Sequence, residues 1–363
     1  MDTTPEPIRI GERRIGPGEP AYVIAEAGVN HNGEVRAAEE LVKIAANAGA
    51  DAVKFQAFSA DRLVTPTAPS ASYQRDAGAG PNQHEMLGRL ELSPADFEHL
   101  MRVCRGHRIE FLATPFGIDD LTMLTRLGVR ALKFASTDLI NQPLLDAGIA
   151  TGLPMIVSTG AATGAEIDHA VKTLTDAGAR DRLMLLHCIS SYPTPITSAN
   201  LRAITALGAR YGVVVGHSDH TESTDIGQLA VAAGASVIEK HFTIDRRLPG
   251  PDQSFSLEPD ALTNYINGIR QAERALGDGN LDVLDCEQDV RNLARSSVVT
   301  AIAVHAGDVL TADVLTTKRP GGGISPTDMQ RLIGQTVTRD LAADTRLNWD
   351  MLKASETRTP ALA

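Results

Sequence analysis

Ala52-Val53-Lys54-Phe55-Gln56 is the phrase on which the fold turns. It is a short run of strand-forming apolar residues carrying an amine and an amide on alternate positions. The same grammar recurs in Leu132-Lys133-Phe134-Ala135-Ser136, Gly216-His217-Ser218-Asp219-His220 and Ile238-Glu239-Lys240-His241. Apolar runs of this length, ended by polar groups, read as buried strands of a parallel sheet. Lys, Glu or His at the carboxyl end of a buried strand is costly unless it meets a ligand or an opposite charge. Four such ends in one chain predict a shared functional rim.

Working outward, strand and helix alternate along most of the chain. After a ribbon over 8–15, strands are expected at 21–28, 52–56, 110–115, 131–136, 154–160, 183–190, 213–219 and 237–243. Amphipathic helical stretches follow, for example 35–48, 94–106, 165–177 and 259–276. In the last, Leu262, Ile266, Ile269, Ala272 and Leu276 recur near the helical period. Gly49 and Gly178 follow helical stretches as C-terminal glycines do. Eight βα units in roughly 250 residues predict an α/β fold, a (β/α)8 TIM barrel over 1–277. The competing open doubly wound sheet lacks a G-x-G-x-x-G after its first strand.

Two connections are long, 57–93 and 244–258, and both leave the carboxyl ends of strands, where barrels build their sites. Residues 278–295 turn polar and read as a linker. Residues 296–353 switch to short β runs and turns, a small C-terminal β-rich domain near the lower limit for independent folding. The tail 354–363 is expected to be disordered.

The length of 363 residues suits two domains, and the net charge is −11 with no basic stretch. That excludes nonspecific nucleic-acid binding, but not a small anion held by a few local cations. Cys104, Cys188 and Cys286 are far apart, which suits a reducing compartment without a disulfide framework. No apolar run reaches about 18 residues, and the first thirty residues show no basic-then-apolar leader. A cytoplasmic protein without membrane contact is expected.

The candidate chemistry sits at the strand ends. Lys54 and Gln56 are two apart and face one way, while Val53 and Phe55 face the other. Lys133 and Ser136, Thr114, and Ser158 with Thr159 occupy matching places on other strands. Two inward lysines with hydroxyls make a cradle for phosphate and carboxylate. Each lysine alone equally fits an ion pair inside the barrel, with Glu26 or Glu239 as partner. His220 and His241 end adjacent strands, with Glu239 on the face of His241. Two imidazoles with open positions suit a catalytic divalent metal, and flanking Ser218, Asp219 and Glu239 favour that over two hydrogen-bonded core histidines. His187 and His217 read as structural, His31 as part of a turn. Cys188 reads as packing, because it and His187 point to opposite faces. Ser190 and Tyr192 follow at the mouth.

Taken in order, Glu26…Asn30-His31-Asn32-Gly33, Val53-Lys54-Phe55-Gln56, Thr114-Pro115-Phe116, Leu186-His187-Cys188…Tyr192-Pro193-Thr194-Pro195, Ser218-Asp219-His220, Glu239-Lys240-His241-Phe242-Thr243, Gly250-Pro251-Asp252 and Lys318-Arg319-Pro320-Gly321…Gly323 resemble the sialic acid synthase family. The terminal segment resembles the antifreeze-like SAF (β-clip) domain of those enzymes. The resemblance implies condensation of phosphoenolpyruvate with an N-acetylmannosamine-type sugar to a nine-carbon 2-keto acid, as in N-acetylneuraminate synthase. Relatives that take 2,4-diacetamido-2,4,6-trideoxyhexoses make legionaminic or pseudaminic acid. It further implies that residues matching Lys54, Thr114, Lys133, Ser136, Ser158, Ser190 and Ser218 hold the donor. Those matching Gln56, Tyr192 and Asp252 meet the acceptor, and those matching His220 and His241 hold Mn2+ or Mg2+. The residue matching Arg319 reaches the other subunit's site in a domain-swapped homodimer. Glu26 or Glu239 would carry the proton. Two other classes compete: a Schiff-base aldolase using Lys54 or Lys133, and a non-catalytic carbohydrate-binding protein.

Overall fold

The computed structural model describes residues 4–76 and 80–353; the tail expected to be disordered lies outside them. Contacts divide the chain into two compact units, Met1–Asp278 and Gly279–Ala363.

The first unit is a barrel of eight parallel strands. They are β1 Tyr22–Gly28, β2 Ala52–Ala57, β3 Glu110–Pro115, β4 Leu132–Phe134, β5 Met155–Ser158, β6 Leu183–Cys188, β7 Val214–Asp219 and β8 Val237–His241. Their lateral order β3-β2-β1-β8-β7-β6-β5-β4 is the chain order bent into a ring. β8 pairs with β1, placing His241 opposite Glu26. Among the described residues no ladder joins β3 to β4, although the two strands lie side by side. Ser136, expected in the fourth strand, instead opens a 3-10 turn, Ser136–Asp138.

Strand alternation sorts side chains into two layers. Outward residues pack against the helices: Phe55, Phe111, Phe134 and Ile238 join one core with residues such as Leu41, Leu100 and Leu262. Helix Pro259–Leu276 contributes Leu262, Tyr265, Ile266 and Ile269, all buried. Each fully buried Leu or Ile contributes about 1.5–3 kcal/mol over its exposed state. The inward layer is apolar only at the amino ends, with Tyr22, Ile24, Leu112, Ile156, Leu186 and Val237. The antiparallel ribbon Ile8–Ile10 and Arg13–Ile15 seals that end with Ile8, Ile10 and Ile15. Continuing each strand by period two changes the inward residue from apolar to polar: Ile24 to Glu26, Ala52 to Lys54, Leu112 to Thr114, Ile156 to Ser158, Val237 to Glu239.

Among its described residues the connection 58–93 carries three short helices, Ala60–Leu63, Ser72–Asp76 and Gln83–Gly88. Phe58, Ala60, Met86, Leu87 and Leu90 form a small apolar cluster with Val29 there.

The second unit has one antiparallel pair, β9 Ser297–Thr300 with β10 Leu315–Lys318, supplemented by single bridges such as Val304 with Leu341. Its own core gathers Val298, Leu310, Leu332, Val337 and Leu347. The stretch expected as a linker includes a helix, Gln288–Ala294.

Candidate active site

Every site residue expected from the sequence except Arg319 lines one cavity of about 520 Å3 at the carboxyl end of the strands. Arg319 lies in the second unit, exposed, one residue past β10.

The floor of the cavity is a buried four-charge cluster. Lys54 Nζ lies 2.7 Å from Glu26 Oε2 and 3.6 Å from Glu239 Oε2, and it donates to Thr114 Oγ1 at 3.0 Å. Lys133 Nζ donates to Ser158 Oγ at 2.7 Å and lies 3.6 Å from Glu239 Oε1. Ser218 Oγ donates to the same Glu239 oxygen at 2.8 Å. The sequence left cradle and ion pair as alternatives for the lysines; both geometries are present at once.

Two carboxylates sharing two ammonium groups do not ionise alike. Burial raises Glu239, but Lys133, Lys54 and the Ser218 hydroxyl outweigh it and bring its carboxyl to about 2. Burial dominates at Glu26 and pushes its carboxyl up to about 7, against the pull of Lys54. Burial depresses Lys133, whereas the two carboxylates around Lys54 overcome burial and raise it. Glu26 is therefore the carboxyl that changes charge near neutrality.

Beside this floor is a hydroxyl-lined recess. The Gly160 N–H donates to Ser136 Oγ at 2.9 Å. A Cβ at Gly160 would collide with the Ser190 and Ser136 hydroxyls and crowd Cys188 Sγ. Only glycine leaves this recess open.

His220 and His241 approach with ring centroids 5.4 Å apart. His220 Nδ1 donates to Ile189 O at 2.9 Å, which leaves Nε2 as an acceptor. His241 Nδ1 is buried without a hydrogen-bond partner, 4.0 Å from Asp252 Oδ2. Burial and the neighbouring His220 hold His241 well below the usual histidine range, hence neutral. Burial lowers His220, but the adjacent Cys188 sulfur more than reverses this and raises it above the usual histidine range. Once His220 gives up its proton, it and neutral His241, with its orphaned ring nitrogen, fit a divalent ion with two protein ligands. Among the described residues no cluster of three His, Cys, Asp or Glu forms a complete cage.

The mouth is aromatic and apolar. Tyr192 stacks on Tyr73 at 4.9 Å and leans on His220 at 4.3 Å. Leu63, Val64, Met86 and Phe116 line the same side. Burial raises the Asp252 carboxyl to about 6.

His187 and His217 are structural, as expected: His187 Nε2 donates to Ala199 O at 2.8 Å and His217 Nδ1 to His187 O at 3.0 Å. Two expectations change. Asp219, read beside the histidines, points outward and pairs with Lys240 at 2.9 Å. Cys188 faces the cavity, with Sγ 3.8 Å from His220 Nδ1. Continuing the inward parity of Met184 and Leu186 would have found it. Tyr73 and Asp138, both lining residues, come from a five-residue helix and a 3-10 turn, too short for a period to flag them.

His31 gives the site's border a pH dependence. It is buried, its Nδ1 accepts the Gly33 N–H at 3.0 Å, and its Nε2 has no partner. Burial pushes its imidazole down to about 4. The unfolded chain takes up this proton near pH 6.5 and the folded chain only near 4, so stability falls as pH drops through that window. Relative to His31→Asn, the native protein should lose about 3 kcal/mol between those pH values. Urea unfolding across a pH series measures this; a pH-independent difference would contradict it.

Comparison with known proteins gives the family of the chain. The NeuB family profile matches residues 41–281 and the SAF domain profile residues 295–353. The chain is 40% identical to N,N'-diacetyllegionaminic acid synthase of Legionella pneumophila, over 95% of this chain and 98% of that one. It is 39% identical to the Campylobacter jejuni enzyme of the same name, over 89% and 97%. The crystal structure of N-acetylneuraminic acid synthetase from Leptospira borgpetersenii superposes with a TM-score of 0.72 at 36% identity, covering 80% of this chain and 96% of that one. The chain belongs to the NeuB family of condensing synthases and carries an SAF domain at its C-terminal end.

Proposed function

We propose that this cavity condenses phosphoenolpyruvate with the open-chain form of a 2,4-diacetamido-2,4,6-trideoxyhexose, giving a nine-carbon 2-keto acid of the legionaminic type and inorganic phosphate. The observation that carries the reading is the buried cluster of Lys54, Lys133, Glu26 and Glu239 at the closed end of one cavity. A donor with carboxylate and phosphate needs fixed cations in a dry pocket, and these are fixed before it arrives.

Lys54 with Thr114, and Lys133 with Ser158, hold the donor's anionic groups. The Ser136, Ser190 and Ser218 hydroxyls complete the cradle. Carbon 3 of the donor attacks the aldehyde carbon, water adds at carbon 2, and the resulting hemiketal phosphate expels phosphate. Glu26, with its carboxyl near 7, moves the proton; Glu239 stays ionised and positions both lysines. Gln56, Tyr192 and Asp252 receive the acceptor. His220 and His241 would hold Mn2+ or Mg2+, which when bound polarises the aldehyde oxygen. The three cysteines are free, and among the described residues no helix is long and apolar enough to cross a membrane; both facts suit a cytoplasmic setting.

The acceptor choice rests on the mouth. Its wall of Leu63, Val64, Met86 and Phe116 matches a 6-deoxy methyl group. Among the described barrel residues no arginine lines the cavity, and both lysines are engaged at its floor, so a 6-phosphate lacks a partner. The N-acetylmannosamine reading, first from the sequence, is the runner-up; the Legionella and Campylobacter relatives favour the diacetamido sugar.

The test is phosphate release from phosphoenolpyruvate with Mn2+ and three acceptors: 2,4-diacetamido-2,4,6-trideoxymannose, N-acetylmannosamine and its 6-phosphate. Turnover highest with the first, about tenfold or more in kcat/KM (about 1.4 kcal/mol), is expected. Preference for either other sugar overturns the acceptor, and silence with all three overturns the reaction. His220→Ala or His241→Ala should abolish turnover with the fold intact; full activity in either under chelator removes the metal. The depressed Lys133 amine favours one rival, a Schiff-base aldolase; borohydride inactivation that needs the substrate would establish it instead.

A further inference from the structure

The barrel has a second cavity, of about 480 Å3, at the opposite end. It opens where β1, β2 and β3 begin: Tyr22 starts β1, Asp51 precedes β2 and Glu110 starts β3. The ribbon supplies Arg13, the end of helix Pro94–His107 supplies Arg105, and Arg108 and Arg130 complete a ring of guanidinium groups. Met101 and Phe111 provide apolar wall between them.

Two observations point to a ligand. Tyr22 is 1% exposed, yet its hydroxyl has no hydrogen-bond partner. Arg13 Nε also lacks a hydrogen-bond partner, although that side chain is half-exposed and its Nη2 pairs with Asp51. A buried donor left unmade costs about 1–3 kcal/mol, and folds seldom keep one without use. The charges are also unbalanced. Asp51 is shared: its Oδ2 takes the Val23 N–H at 2.8 Å and Arg270 at 2.7 Å, and its Oδ1 lies 3.2 Å from Arg13 Nη2. Arg130 reaches Glu110 only at 3.6 Å. Arg105 and Arg108 have no carboxylate within ion-pair distance among the described residues, in a chain of net charge −11.

We propose that this cavity is a binding site for a small polyhydroxylated acid, either a sugar carboxylate or a sugar phosphate. The guanidinium groups take the acid, since their fork matches carboxylate and phosphate. The Tyr22 hydroxyl and the Glu12 and Glu110 carboxylates take the ligand's hydroxyls. Met101 and Phe111 pack on its carbon skeleton. The site has a direct line to the other end of the barrel: Tyr22 and Glu26 share β1, Asp51 leads to Lys54, and Glu110 and Thr114 share β3. Four residues of strand span about 13 Å, so the occupant stiffens the strands that hold the charged floor. The proposal rests on this cavity alone and stands whatever reaction the other performs.

The experiment is calorimetric titration of the full chain with 6-phosphogluconate, beside inorganic phosphate and neutral glucitol. Saturable binding of 6-phosphogluconate, and none of glucitol, is expected. It should weaken about tenfold in Arg105→Glu and about threefold to tenfold in Tyr22→Phe, as expected for a lost charge and a lost hydroxyl. It should persist in Lys133→Met, whose change lies in the other cavity. Tyr22→Phe should unfold no earlier than the native chain, because its hydroxyl has no partner to lose. Absence of binding up to about 10 mM overturns the proposal. So does binding lost in Lys133→Met and kept in Arg105→Glu, which would put the probe in the first cavity. Equal affinity for inorganic phosphate overturns the sugar-acid assignment.

Discussion

Lys240→Met is expected to lower the unfolding free energy of the barrel by about 3–5 kcal/mol, the usual cost of orphaning one member of a buried ion pair. Lys240 and Asp219 are each 1% exposed. They are register partners on β8 and β7 and point outward beneath helix Pro259–Leu276. Asp219 Oδ2 accepts from Lys240 at 2.9 Å and from the Tyr265 hydroxyl at 3.0 Å, while Oδ1 accepts the Thr221 N–H at 2.8 Å. Burial pushes the Asp219 carboxyl up, and Lys240 more than reverses this. Without the ammonium the buried carboxylate keeps only the Tyr265 hydroxyl and the Thr221 N–H, and no cation offsets its charge. The double variant Asp219→Asn/Lys240→Met removes both charges and should recover most of the loss. Urea unfolding followed by far-ultraviolet circular dichroism measures both; the single tryptophan, Trp349, lies in the second unit and reports on that unit instead. A loss below about 1 kcal/mol would place the pair with exposed ones. His220 and His241 are the next residues along the same strands, so turnover should fall with stability in the single variant and return in the double.

Lys54→Met should lower kcat/KM for phosphoenolpyruvate about 10³-fold, the upper range for losing one preorganised charge donor. In its absence Glu26 and Glu239 face a donor of their own sign. The cost is thus both a missing attraction and an exposed repulsion. Phosphate release gives the number, and circular dichroism shows whether the barrel persists. A value within about threefold of the native enzyme would remove Lys54 from the donor's cradle. The same variant tests the role that the family resemblance implies for Arg319. If that guanidinium serves a second copy of this chain, Arg319→Ala mixed with Lys54→Met should regain activity that neither has alone. No recovery after mixing and exchange would confine Arg319 to its own chain or to no catalytic role.

The fold was legible because its signal is repetitive. Each barrel strand is an apolar run of two alternating faces, and one hydrophobic period recurs between glycine-ended helices. Even the strand ends gave most of the site: the period of two alone turns Lys54 and Gln56 inward together. Parity failed where it was applied to the wrong question. Cys188 shares its face with Leu186 and Met184 and not with His187, so strand parity puts it in the cavity. Asp219 was grouped with His220 by adjacency, although adjacent strand residues face apart. Ser136 left its strand for a tight turn, because Ala135-Ser136-Thr137-Asp138 has no outward apolar residue to hold a pleat. Tyr73 belongs to a connection whose position is set by tertiary packing against Tyr192, and no local pattern encodes that contact.

The missing ladder between β3 and β4 makes the barrel a split ring rather than a hoop. Thr114 stands on one lip of the slit and Lys133 on the other, while Glu239 faces both from across the lumen. A molecule grasped by both lips would act as a rung between edges that share none. Filling the cavity would then stiffen the whole cylinder, and amide exchange along those two edges would slow more than anywhere else in the wall. An empty barrel would breathe first at this slit, beneath the apolar layer of Phe111, Leu124 and Phe134 that covers it.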